Sequence, residues 1–268
     1  MADPTTTLAM ESHHNRHFMK HQPSHVLQFL RLQRLWIGRL LFCLMALWQI
    51  GQPLQGADTT WTAGTGTNFN WDDAANWGAG APTFADTAIL PYLIPNPSNL
   101  ANPSILTLGA LSTADLVSFK NNYTLSSGTL TLGAGGLRAD LGADSVINSV
   151  IDGVSGLTKT GGGSVRLTGV NTYTGTTSIA GGSLIINSAT ALGGTGTVNI
   201  TSGNDTPSNV NLIGFTGGSL VLDGTAAGFT FSRNLNIEGR GPIGERGSAI
   251  QSLGNNTLSG IDQPQSAR

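Results

Sequence analysis

A five-residue kernel, Gly-[Ser/Thr]-[Leu/Val]-x-[Leu/Ile], recurs along this chain and constrains its fold more than any other feature. It stands at Gly128-Thr129-Leu130-Thr131-Leu132, Gly163-Ser164-Val165-Arg166-Leu167, Gly182-Ser183-Leu184-Ile185-Ile186, Gly196-Thr197-Val198-Asn199-Ile200 and Gly218-Ser219-Leu220-Val221-Leu222. The glycines are 35, 19, 14 and 22 residues apart, and 35 is close to two of the shorter steps. A short strand with two apolar residues on one side cannot bury that side alone. Copies stacked along an axis can, which is the logic of a solenoid. Strand alternation then places Leu130, Leu132, Val165, Leu167, Leu184, Ile186, Val198, Ile200, Leu220 and Leu222 inside, with Arg166 and Asn199 outside. About eight to ten rungs are expected over residues 100–262.

Composition agrees with a long all-β repeat protein. Only 10% of the 268 residues are charged and 37 are glycine, against about 25% charge in ordinary globular domains. Gly/Ser/Thr richness also marks flexible linkers, but 39% hydrophobic content in regular Leu/Ile/Val pairs argues against disorder. Nothing after residue 58 has helical periodicity over a useful length. Ile105–Leu108, Leu116–Phe119, Tyr123–Leu125 and Val146-Ile147 instead read as strands bounded by Gly, Asn, Asp or Ser. Pro91–Pro103, with four prolines, reads as an irregular crossing.

The ends of the chain differ in chemistry. All five histidines and the only cysteine, Cys43, precede residue 58, together with Arg16, Lys20, Arg31, Arg34 and Arg39. The apolar run Leu40–Ile50 follows, then Gly56-Ala57. A basic leader, an apolar run of this length and a small residue at its exit make a signal peptide over 1–57, with Met10 and Met19 as alternative starts. Arg39 keeps the uncharged run short of the ~20 residues a membrane span needs. Membrane contact is therefore expected only through this segment. Cys43 lies inside the apolar run and reads as a passive signal residue. Residues 58–268 carry eight basic and thirteen acidic residues, a net of 8 − 13 = −5. That thin negative balance offers no footprint for nucleic acid.

Trp61, Trp71 and Trp77 open the exported part, among Asn70, Asp72, Asp73 and Asn76. Aromatic faces beside Asn and Asp suit sugar rings, so these three are the candidate binding residues for a carbohydrate. The plainer expectation is a cap over the first rung, occupying residues 58–100, with repeats over 101–268. Asp72-Asp73 lacks the Asp-x-Asp-x-Asp-Gly continuation of a calcium loop, so no metal is expected. Gly161-Gly162-Gly163 lacks Gly-Lys-[Ser/Thr] and precedes a strand, so it reads as a turn and not a phosphate loop.

One segment carries a specific resemblance. Gly156-Leu157-Thr158-Lys159-Thr160-Gly161-Gly162-Gly163, Val165-x-Leu167, Asn171-Thr172-Tyr173-Thr174-Gly175-Thr176-Thr177 and Ile179-x-Gly181-Gly182-x-Leu184 resemble the autotransporter-associated β-strand repeat of bacterial surface proteins. The resemblance covers about 31 residues closely and its flanks more loosely. It implies an all-β, right-handed parallel β-helix forming an exported passenger or stalk at the outer surface or outside the cell. A signal peptide and a Trp-rich N-terminal cap would precede that helix. The residues after Gly218 do not supply the ~10-residue amphipathic strands of a membrane barrel, so the repeats are expected to be incomplete at the C-terminus.

The chemistry available to the exported part is narrow. Without His or Cys it cannot assemble histidine triads, thiol nucleophiles or His/Cys zinc sites. No catalytic residue and no cofactor are expected. The rival is a polysaccharide hydrolase or lyase built on carboxylates, with Asp140, Asp144 and Asp152, or Glu238 and Glu245, as candidate pairs. A carbohydrate-binding module is the other alternative. The residues favour a non-catalytic adhesive or matrix module whose partners are glycans or other surface proteins.

Overall fold

Alternating strands too short to stand alone must find partners in register, and in the computed structural model they find them one turn of chain away. The structure describes residues 56–62, 68–92, 105–194, 196–201, 217–238, 241 and 248–259. All belong to the compact unit Leu54–Arg268. Residues 1–55 of the expected signal segment, residues 93–104 of the proline-rich stretch and Glu245 lie outside the described residues.

Every turn of the chain passes through up to three faces. The long face stacks Asp58–Thr60, Thr87–Leu90, Ser112–Phe119, Thr129–Ala139, Leu157–Thr160, Thr177–Ile179, Val198–Ile200 and Leu235–Ile237 in that order. A second face, here called the kernel face, stacks Ile105–Thr107, Thr124–Ser126, Asp144–Ile147, Ser164–Leu167, Gly182–Ile186, Gly218–Gly224 and Ile250–Gly254. A third, shorter face begins with the leading halves of two long strands, Ser112–Ala114 and Leu130–Leu132 in register. Val150–Asp152 pairs with Thr129–Thr131 to continue it. Thr172 and Thr174 extend it by donating to the carbonyls of Ile151 and Gly153, both at 2.9 Å. Each pairing between these strands is parallel. The fold is a parallel β-helix, with no α-helix among the described residues.

The expected core is present. All ten inward kernel residues are buried, in continuous columns such as Val165–Leu184–Leu220 and Leu167–Ile186–Leu222. Each column residue packs on the ones above and below, so apolar area leaves water once per rung.

Two details differ from expectation. The kernels do not form one column. Those at Gly163, Gly182 and Gly218 stack on the kernel face, whereas Thr129–Leu132 lies on the third face and Val198–Ile200 on the long face. The 14-residue step is therefore a change of face within one turn, and the 35-residue step is not two rungs. The rung count is also lower. The kernel face holds seven strands among the described residues, not eight to ten. Two turns are lengthened: partners Ser164 and Ser183 are 19 positions apart, but Ser183 and Ser219 are 36 apart and Leu220 and Ile250 are 30 apart. Both extra lengths enter between the long face and the kernel face.

Candidate functional site

Three constellations were open to function in the sequence: the tryptophans, the carboxylates, and the polar residues of the repeat.

The tryptophans meet each other. Asp73 caps a short 3-10 turn at Ala74–Asn76 by accepting from the Ala75 N–H at 2.9 Å. Asn68 and Asn70 order the approach through bonds to the N–H groups of Asn70 and Asp72. This brings Trp77 edge-on to both Trp61 and Trp71, with ring centroids 5.2 and 4.8 Å apart. The Trp77 indole donates to the Trp71 carbonyl at 2.7 Å. Trp71 is 0% exposed and its two neighbours 4%, whereas stacking on a sugar needs an open ring face. The Trp61 backbone N–H donates to the Ile89 carbonyl, tying the cluster to the first long-face strands. Asp72 accepts from the Ser112 hydroxyl at 2.7 Å. No set of three potential metal-binding side chains occurs among the described residues.

The carboxylates are dispersed and engaged. Asp140 accepts from Lys120 at 3.0 Å, Arg138 at 3.2 Å and the Tyr92 hydroxyl at 3.1 Å. Partial burial pushes its carboxyl upward, but the Lys120 and Arg138 hydrogen bonds outweigh that and hold it below the usual carboxylate value. Asp144 opens a kernel-face strand and accepts from the Ser164 hydroxyl at 2.6 Å. Asp152 ends a third-face strand, where it accepts from its neighbour's N–H and from Thr172. Glu238 accepts from Asn236 at 3.4 Å. Asp144 and Asp152 lie on different faces, so the structure does not bring that pair into one groove of the kind a glycosidase uses.

Four polar residues of the repeat, Lys159, Asn171, Tyr173 and Thr177, turn inward. Lys159 shares a strand side with Leu157 and is 0% exposed. Asn171 is 7% exposed and ties three successive turns: its Oδ1 accepts from the Ile151 N–H at 2.7 Å and its amide donates to the Ala191 carbonyl. Tyr173 is buried with its hydroxyl 2.8 Å from the Thr177 hydroxyl, and burial pushes that phenol upward. Buried polar groups are tolerated when their hydrogen bonds are made. The Asn171 bonds join rung to rung, whereas the Tyr173–Thr177 bond lies within one turn. The alternation Leu157-x-Lys159 was the available signal for the lysine. Asn171 sits outside any strand, and no period marks it.

The outside is correspondingly plain. Thr158, Ser178, Asn199 and Asn236 stand in register on the long face, one per rung and half-buried. On the kernel face Arg166 reaches across the intervening strand to Asp223 at 2.5 Å, joining positions 57 residues apart. Hydrogen bonds from Thr225 and then Arg166 hold Asp223 below its ordinary value.

Comparisons with known proteins agree with this geometry. The passenger-associated transport repeat family matches residues 157–186, the segment holding Lys159, Asn171, Tyr173 and Thr177. Over 130 residues the chain is 37% identical to the adhesin BmaC autotransporter of Brucella suis biovar 1 (strain 1330), covering 46% of this chain. The match spans only 4% of the length of that relative. No solved structure matches the chain.

Proposed function

Starting from a chain that carries an autotransporter passenger repeat, we propose that it is a non-catalytic module of an exported surface protein, acting in adhesion or matrix structure. The observation that carries this reading is the inward turn of four of the repeat's polar side chains. Lys159, Asn171, Tyr173 and Thr177 are all buried and hydrogen-bonded inside the stack, which leaves outward ladders of hydroxyls and amides as the working surface. Such ladders offer many weak hydrogen bonds at strand spacing, and affinity then comes from multiplicity. Glycans and other surface or matrix proteins are the partners this chemistry suits. The mutual burial of Trp61, Trp71 and Trp77 supports a cap at the N-terminal end in preference to a sugar platform. Residues 1–57 serve as the export signal.

The test is a polysaccharide panel offered to the secreted chain, scored for reducing ends, unsaturated products and retention. The expected result is retention on cells or on a glycan without turnover. Turnover lost on substitution of Asp140, Asp144 or Asp152 would replace this reading with a carboxylate enzyme.

A further inference from the structure

Lys159 does more than fill space. The strand Leu157–Thr160 aims its amine at the corner where the long face hands over to the kernel face. Two successive turns close there, and four backbone carbonyls converge on Nζ: Thr160 at 2.8 Å, Gly161 at 3.1 Å, Gly163 at 2.9 Å and Gly181 at 3.0 Å. Three belong to its own turn and the fourth to the next rung. The turns depend on left-handed steps at Gly161 (φ 75°) and Gly182 (φ 62°), which glycine enters without strain.

The donor set selects its ligand. Carbonyl oxygens without a carboxylate suit a monovalent cation, as in carbonyl-built ion filters, whereas calcium sites draw on carboxylates. An ammonium offers three N–H donors to the four oxygens, while a neutral amine would turn its lone pair on one of them. Burial works the other way and pushes Lys159 down to about 7, with the like charge of Arg138 adding to it. Arg138 comes from the preceding rung and is held with Lys120 by Asp140. Arg166 of the neighbouring kernel strand is taken by Asp223. The next rung's strands, Thr177–Ile179 and Gly182–Ile186, carry no charge.

We propose that these converging carbonyls form a monovalent-cation site shared by two rungs, for which the Lys159 ammonium is the tethered ligand. With the lysine truncated, the site accepts ammonium, potassium or a short alkylammonium from solution. This does not depend on what the surface binds.

The experiment is thermal unfolding of the full secreted chain and its Lys159→Ala variant in different chlorides at equal ionic strength. In choline chloride the variant melts about 10 °C below the parent. Ammonium, potassium or propylammonium restores at least half of that loss, and sodium does not. Equal recovery in every salt, or in none, overturns the site. A Lys159→Met variant melting with the parent also overturns it, because an apolar side chain of similar shape would then serve. Should both variants fail to fold, lysine side-chain nitrogen spectra of the parent decide at about pH 6, below the value of about 7 to which burial brings Lys159. A slowly exchanging ammonium at Lys159 upholds the proposal and a neutral amine refutes it.

Discussion

Replacing Asn171 should loosen the stack at one point across three turns. Its Oδ1 accepts from the Ile151 N–H and its amide donates to the Ala191 carbonyl, in a place only 7% exposed. Asn171→Ala leaves both backbone groups inside without partners. An orphaned buried group costs about 1–3 kcal/mol, so the pair costs about 2–6 kcal/mol. With a urea slope near the upper end of ~1–3 kcal/mol/M, expected for a chain of this size, the unfolding midpoint falls by about 1–2 M. Asn171→Asp adds a test of mechanism. The aspartate still accepts from Ile151, but once ionised it has no hydrogen to give Ala191 and its charge is buried. Its carboxyl is therefore raised in the folded state above the ordinary value of ~3.9. The folded chain then binds the proton more tightly than the unfolded one, so the variant regains stability as pH falls through the folded value. Urea unfolding followed by circular dichroism, near neutrality and near pH 5, reads both effects. An Asn171→Ala variant within about 0.5 kcal/mol of the parent would refute the reasoning. An Asn171→Asp variant equally weakened at both pH values would do the same.

Other outcomes follow from the same geometry. Gly182→Ala places a Cβ 2.1 Å from the Gly163 carbonyl oxygen at φ 62°, so it should block the turn, with a lower melting point or loss of soluble chain as readout. Asp140 is held below its ordinary value by Lys120 and Arg138 against the upward push of burial. Its contribution is present above the unfolded value and lost as pH falls through the folded one. Lys120→Met should therefore flatten the acid limb of the stability curve by about 1 kcal/mol or less, since the pair is partly exposed. Emission from Trp61, Trp71 and Trp77 should be blue-shifted and indifferent to added oligosaccharides. Trp71→Ala should cost about 3–5 kcal/mol in urea unfolding, and quenching of the parent by a glycan would instead mark a binding site.

The sequence by itself determined the class of fold and the identity of the core. Pairs such as Val165 with Leu167 and Leu220 with Leu222 alternate with polar residues, and strand geometry sends alternate side chains to one side wherever the strand lies. The absence of His and Cys after residue 57 likewise limited the chemistry before any folding was considered. Tertiary structure alone decided which kernels stack. The same five-residue pattern serves three faces, and a local pattern does not record the face to which the intervening turn delivers it. It also decided how the polar residues are used. Arg166 meets Asp223 across another strand, Asn171 joins turns 20 residues to either side, and four carbonyls from two turns converge on Lys159. A hydrogen bond needs its partner within about 3 Å, and in a solenoid those partners are brought within reach only when one rung lies on the next.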